Sequence, residues 1–217
     1  HNLLRLLAGV GPARAAPRRL VAVGGAVTET VCALGAGASL VAVDATSQFP
    51  AQVRPLPHVG YLRALAPEGL ISLRADLMLL SDEAGPPQAL EVLRAAGAPL
   101  TIVPDAAGGE AVLRKIGAVG AAIERDPKPL ADAFAADWAM LDAPIAALRP
   151  LSAIFVLSVA RGAPLVSGEG THADAMLRAA GARNLVTSFR GYRPLSPEAA
   201  ASLAPEAIVM MAHSLDE

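Results

Sequence analysis

Leu65-Ala-Pro-Glu-Gly-Leu-Ile-Ser-Leu73 returns 130 residues later as Leu195-Ser-Pro-Glu-Ala-Ala-Ala-Ser-Leu203. Leu, Pro, Glu, Ser and Leu coincide, and each copy leads into an apolar run, 77–80 in the first and 207–211 in the second. Just upstream, Gly60-Tyr61-Leu62-Arg63 has a partial echo in Gly191-Tyr192-Arg193. Earlier still, Leu34-Gly35-Ala36 with Leu40-Val41 is echoed by Ala180-Gly181-Ala182 with Leu185-Val186. Three matches in the same order make an internal repeat, so the chain holds two similar units.

Each unit alternates strands and helices. Residues 20–24 form a short apolar run ended by glycines, which is the pattern of a buried strand. Val27, Val31 and Leu34 then fall on one helical face, and Gly35 ends the helix. Further strands are expected at 40–43, 77–80 and 100–103, with a helix after Pro86-Pro87 and another over 111–124. In the second half, strands are expected at 152–157, 165–166 and 207–211, with a helix over 173–180. Strands alternating with helices predict α/β units with parallel sheets. Between the halves, Leu130, Phe134, Leu141, Ile145 and Leu148 hold a helical period over 128–149, about six turns, with Pro144 as an internal kink. The expected architecture is two Rossmann-like α/β lobes joined by that one long, stiff helix. The boundaries are 18–126 for the N-terminal lobe, 127–150 for the helix and 151–217 for the C-terminal lobe. The repeat places counterparts of the first lobe's Pro-Pro helix and following strand beyond residue 217, so the second lobe reads as incomplete. At the other end, the apolar residues 3–10 and Ala13-Arg14-Ala15 fit either the stub of an export signal or an unrelated leader.

Composition narrows the function. A net charge of −2 in 217 residues offers no basic field for nucleic acid. Mean hydropathy is +0.45, yet no apolar run approaches the ~18 residues of a membrane span. The single cysteine, Cys32, excludes a disulfide framework and a cysteine-based zinc site.

Paired α/β lobes take ligands in a cleft at the carboxyl ends of their strands. The segments that qualify are 24–28, 44–50, 81–87, 158–171 and the two Gly-Tyr loops. None carries a dinucleotide or P-loop fingerprint or a nucleophile elbow, and no nucleophile–base pair suggests an enzyme. A zinc or manganese carrier would need three histidines and an acid, and His1, His58, His172 and His213 have no such spacing. His58 reads as a solvated loop residue. His172, opening a helix after the 168–171 turn, is either a helix-end polar group or a ligand contact. Tyr61 differs in kind. A phenol with an ordinary pKa of about 10 is a poor ligand for most divalent ions but a good one for ferric iron, including haem iron. Arg63 lies two residues on, where it could support the phenolate or bind a ligand carboxylate.

Several segments resemble the haem-binding periplasmic proteins of bacterial haem ABC importers, in the helical-backbone class that also holds vitamin B12- and siderophore-binding proteins. They are Leu20-Val-Ala-Val-Gly-Gly-Ala-Val-Thr-Glu-Thr-Val-Cys-Ala-Leu-Gly35, Asp44-Ala-Thr-Ser-Gln-Phe-Pro50 and Leu56-Pro-His-Val-Gly-Tyr-Leu-Arg63. Ser81-Asp-Glu-Ala-Gly-Pro-Pro87, Gly162-Ala-Pro-Leu-Val-Ser-Gly-Glu-Gly-Thr171 and Gly191-Tyr-Arg-Pro-Leu-Ser-Pro-Glu198 continue the likeness. The resemblance implies a non-enzymatic, monomeric periplasmic carrier of haem (ferric protoporphyrin IX). It would deliver to an ABC permease dimer with its ATPase and meet the membrane only through that permease. It implies Tyr61 as the iron ligand and Arg63 beside it or on a haem propionate. His172 becomes a candidate sixth ligand or contact to a second haem, and Tyr192 and Gly85 candidate haem contacts. Glu68 and Glu198, at the same place in each repeat, become the acids that dock on arginine pockets of the two permease subunits. The alternative cargo within the same fold is another iron or cobalt chelate, a ferric siderophore or a corrinoid.

Overall fold

The computed structural model describes residues 19–105, 107–160 and 163–211; the leader at 1–17, His1 and His213 lie outside them. The chain divides into two compact units. The first holds residues up to Val103 together with Gly117–Pro127, and the second holds Pro104–Ile116 together with residues from Lys128 on.

In the first unit, β1 (Leu20–Val23), β2 (Leu40–Val43), β5 (Leu77–Ser81) and β6 (Leu100–Val103) form a wholly parallel sheet in the order β2-β1-β5-β6. Every side chain of β1 and β5 is buried because helices cover both faces. On one face Leu20, Ala22 and Leu79 pack with Val27 and Val31 of α1 (Gly25–Ala33), with Val119 of α4 (Gly109–Ala122) and with Ile123 just after it. On the other, Val21, Val23, Met78 and Leu80 pack with Leu70 of α2 (Pro67–Ser72) and Ala89 and Leu93 of α3 (Pro87–Ala95). Between β2 and α2 lies a short antiparallel pair, β3 (Gly60–Tyr61) with β4 (Ala64–Leu65).

The second unit takes in Pro104–Ile116 and, from Lys128 on, begins with α5 (Lys128–Ala146), which groups with this unit. It keeps Pro144 inside and stops short of the expected 149, since Arg149 precedes Pro150 and is steered out of the helical region. The predicted stripe is only partly used. The Trp138 indole lies so close to Gly109 that any Cβ there would collide with it, and Ile145 meets Gly181 in the same way. Leu141 and Leu148 are exposed.

The sheet of this unit corrects the expectation of a parallel one. β7 (Leu151–Ala160) pairs in parallel with β9 (Ala182–Asn184) and β11 (Ala207–Met210), but antiparallel with β8 (Ala163–Ser167), which in turn pairs antiparallel with β10 (Tyr192–Pro194). Of the strand-end segment 158–171, expected to hold a short strand at 165–166, residues 158–160 lie in β7 and 163–167 in β8, and 168–171 turn. Helices α6 (His172–Ala179) and α7 (Pro197–Ser202) complete the unit.

The repeat is geometric as well as textual. α2 and α7 both begin on proline, and each is followed by a non-glycine residue with positive φ, Arg74 at 46° and Ala204 at 45°. Two residues later an acid clamps the first strand of its unit. The Arg19 amide donates to the Asp76 carboxylate (2.9 Å) while the Asp76 amide donates to the Arg19 carbonyl (2.9 Å). The Ser152 amide likewise donates to Glu206 (2.8 Å) and the Glu206 amide to the Ser152 carbonyl (2.9 Å). Arg149 forms an ion pair with Glu206, and that contact, with the Ser152 amide and hydroxyl, holds the Glu206 carboxyl at about 2.

A carboxyl held below its unfolded value stabilises the fold above that value and loses the effect as it protonates in the folded state. Acidification from about pH 4.5 toward 2 should therefore weaken the second unit through Glu206. Urea unfolding across this range is expected to be less pH-sensitive in Glu206→Gln, and an unchanged slope would count against the clamp.

Candidate functional site

Tyr61 projects from a hairpin whose shape follows from alternation. Leu62 and Leu65 turn inward and join the core of the first unit, so Tyr61 and Arg63 turn outward. Gly60 takes φ +94°, a conformation costly for a side-chain-bearing residue, as the chain enters the hairpin. Tyr61 faces Ala64 across a two-residue turn made of Leu62 and Arg63.

Backbone hydrogen bonds fix this hairpin on two sides. The Val59 amide donates to the Val43 carbonyl (2.9 Å) and the Ala45 amide to the Gly60 carbonyl (2.8 Å), tying it to the end of β2. The Leu65 amide donates to the Gly85 carbonyl (2.9 Å) and the Gly85 amide to the Leu62 carbonyl (2.8 Å), tying it to the loop after β5. Gly85, a candidate ligand contact in the sequence, is buried and serves as the hairpin's backbone partner. The β2 end is itself set by the buried Asp44, which accepts from the Gly24 amide (2.8 Å), the Thr46 amide (3.0 Å) and the Thr46 and Ser47 hydroxyls (2.7 and 2.8 Å).

Two neighbours engage the Arg63 guanidinium. Its Nη1 donates to the Tyr61 hydroxyl (3.2 Å) and its Nη2 is ion-paired with Glu83. Partial burial works against the guanidinium charge, but Glu83 and the Tyr61 oxygen outweigh it and push the Arg63 pKa up. Arg63 is thus a fixed cation on the phenol oxygen. Glu83 escaped the sequence reading. It lies in the segment 81–87 singled out as a strand-end loop, but an acid flanked by Asp82 and Ala84 carries no local mark of its partner.

The second unit brings His172 and Tyr192 together. Both line an apolar cavity of about 540 Å³, with Phe155, Leu157 and Met176. His172 is the first residue of α6, and its Nε2 lies 3.8 Å from Asp105, which is also ion-paired with the buried Lys115. The turn before it is built on buried polar groups. Thr171 caps the helix by accepting from the Asp174 amide (2.9 Å), and Asp174 accepts from the Gly170 amide (3.1 Å) and Asn184 (3.0 Å). Burial alone would raise the Asp174 carboxyl, but Asn184, the Gly170 amide and Arg178 together hold it below its ordinary value.

Glu68 and Glu198 are exposed in the first turns of α2 and α7, each directly after the helix's opening proline. Among the described residues, no three His, Cys, Asp or Glu side chains are grouped to hold a metal ion, and no helix is long and apolar enough to cross a membrane.

The chain is thus built of two repeated α/β units, the first of which presents a phenol bonded by a guanidinium. The chain belongs to the periplasmic binding protein family, whose model matches residues 20–217, a family of transport components. It is 38% identical to a periplasmic heme-binding protein, BhuT, solved in complex with two hemes, with a TM-score of 0.81 over 91% of this chain and 78% of that one. A periplasmic heme-binding protein from Pseudomonas aeruginosa is 36% identical, with a TM-score of 0.82 over 89% of this chain and 71% of that one. Among curated proteins it is 35% identical, over 89 residues, to the vitamin B12-binding protein of Yersinia pestis; the match covers 41% of this chain and 31% of the relative's length.

Removing the Arg63 side chain leaves the phenol oxygen without its cation. Arg63→Ala is expected to weaken binding of hemin by about 1–3 kcal/mol, the range of a lost charge-assisted hydrogen bond. Fluorescence quenching of Trp138 or absorbance titration would measure it, and an unchanged Kd would contradict the pairing.

Proposed function

We propose that this chain is a periplasmic carrier that binds ferric haem through the Tyr61 phenolate and delivers it to an inner-membrane ABC permease dimer with its ATPase. The observation that carries this is the Tyr61 hydroxyl exposed on a pinned hairpin with the Arg63 guanidinium 3.2 Å away. An ionised phenol is a good ligand for ferric iron, and the guanidinium stands where it can donate to that oxygen. The likeness to proteins described as heme-binding, at 38% and 36% identity, supports the cargo. His172 and Tyr192, on the apolar cavity of the second unit, are the contacts proposed there. The role is binding rather than catalysis, and the carrier acts as a monomer.

Hemin added to the protein should give a high-spin spectrum with tyrosinate-to-iron charge-transfer bands, and Tyr61→Phe should abolish those bands. Retention of the wild-type spectrum and Kd in the variant would remove Tyr61 as ligand. A corrinoid is the second cargo, favoured by the 89-residue match to a vitamin B12-binding protein. Tight binding of cyanocobalamin with none of hemin would select it.

Delivery is assigned to Glu68 and Glu198. A helix N-terminus favours a carboxylate by ~0.3–1 kcal/mol regardless of function. The duplication nevertheless sets one exposed acid at the same point of each unit. Backbone and Ser196 hydrogen bonds hold the Glu198 carboxyl below its ordinary value, so it stays charged. Rim charges set encounter rate and register and are screened by salt. Reversal of both to lysine should leave hemin affinity intact and abolish uptake through the permease in vesicles. Intact uptake would leave the acids only their helix-end role.

A further inference from the structure

We infer that Glu83 is a positioning residue: its carboxylate, paired with Arg63, holds the guanidinium on the Tyr61 hydroxyl. The inference rests on Tyr61 as the iron ligand and extends it to a residue that touches neither the ligand nor its oxygen.

Arg63 sits in a two-residue turn with its side chain more than half exposed. A long, solvated arginine has many rotamers, and one 3.2 Å contact with a hydroxyl does not select among them. Glu83 supplies the second anchor. The guanidinium is a planar fork, so engaging Nη2 on the carboxylate fixes where Nη1 points. Two of the five guanidinium N–H groups are then engaged, and the orientation of the fork is set.

Glu83 can act as an anchor because its own loop is tied on several sides. Its amide donates to the Ser81 hydroxyl (3.2 Å), the Asp82 amide to the Val103 carbonyl (3.0 Å) and the Ala84 amide to the Ser81 carbonyl (2.9 Å). The Gly85 amide reaches back to the Leu62 carbonyl (2.8 Å), so acid and arginine stand on two backbone segments bonded to each other. The charges also balance. A ferric porphyrin core carries one net positive charge, which an ionised phenol offsets, and Glu83 offsets Arg63. The site can therefore accept ferric haem without an uncompensated cation beside the iron.

The test is hemin titration of the full chain with the charge-transfer spectrum and the reduction potential of the bound haem recorded. The set is wild type, Glu83→Gln, Glu83→Asp, Arg63→Ala, the double variant Arg63→Ala with Glu83→Gln, and Tyr61→Phe. Glu83→Gln should weaken binding about two- to fivefold, as expected for a half-exposed ion pair. It should move the band and the potential in the same direction as Arg63→Ala but less far, and Glu83→Asp should recover part of the shift. In the Arg63→Ala background Glu83→Gln should have no effect, because there is nothing left to position. An unchanged band and Kd in Glu83→Gln, a shift opposite to that of Arg63→Ala, or an undiminished effect in the double variant would each overturn the inference. Tyr61→Phe separates the two claims. If it loses the band while Glu83→Gln does not alter it, only the role of Glu83 falls. If it keeps the band, the ligand assignment falls and the inference with it.

Discussion

Everything proposed for the site depends on the backbone hydrogen bonds that hold the 60–65 hairpin between the end of β2 and the loop after β5. A two-residue strand pair has no stability of its own. Here Val43 and Ala45 bind it on one side and Gly85 on the other, while Leu62 and Leu65 sink into the core. The outward side chains inherit that rigidity. The backbone that carries Tyr61 and Arg63 is placed by bonds made at Val59, Gly60, Leu62 and Leu65, and the Arg63 side chain adds its ion pair with Glu83.

The duplication explains why the molecule can support such a site. Each unit begins with a strand whose entry is clamped by an acid, Asp76 on Arg19 and Glu206 on Ser152. In each unit the turn into a helix is also organised by a buried carboxylate, Asp44 receiving the Gly24 amide and Asp174 the Gly170 amide. These groups satisfy strand ends and loop amides that would otherwise be unpaired in the interior. The strand-end loops, where the candidate residues stand, are thus stiff in both units.

The sequence was legible where order is local. Apolar runs located β1, β2, β5 and β6 almost to the residue, and the 130-residue offset disclosed the duplication. Tyr61 and Arg63 were legible by chemistry and by their place in a Gly-Tyr loop. What escaped depends on contacts between distant segments. β3 and β4 are too short to show a period, and the antiparallel course of β8 is a matter of its pairing with β7 and β10, which composition does not reveal. Glu83 meets Arg63 from twenty residues away, and Gly85 holds the hairpin with backbone atoms that no residue type advertises. The pairing of Glu206 with Ser152 spans 54 residues, although the offset that relates Asp76 to Glu206 was open to inspection.

The central claim is that a phenolate oxygen of this chain bonds haem iron. Resonance Raman spectroscopy of the hemin complex, excited in the charge-transfer band and prepared with ring-deuterated tyrosine, addresses it directly. With only Tyr61 and Tyr192 in the chain, repeating the measurement in Tyr192→Phe assigns the oxygen. The account predicts isotope-sensitive phenolate modes that persist in Tyr192→Phe. Their absence, or their loss when Tyr192 is replaced, would contradict it.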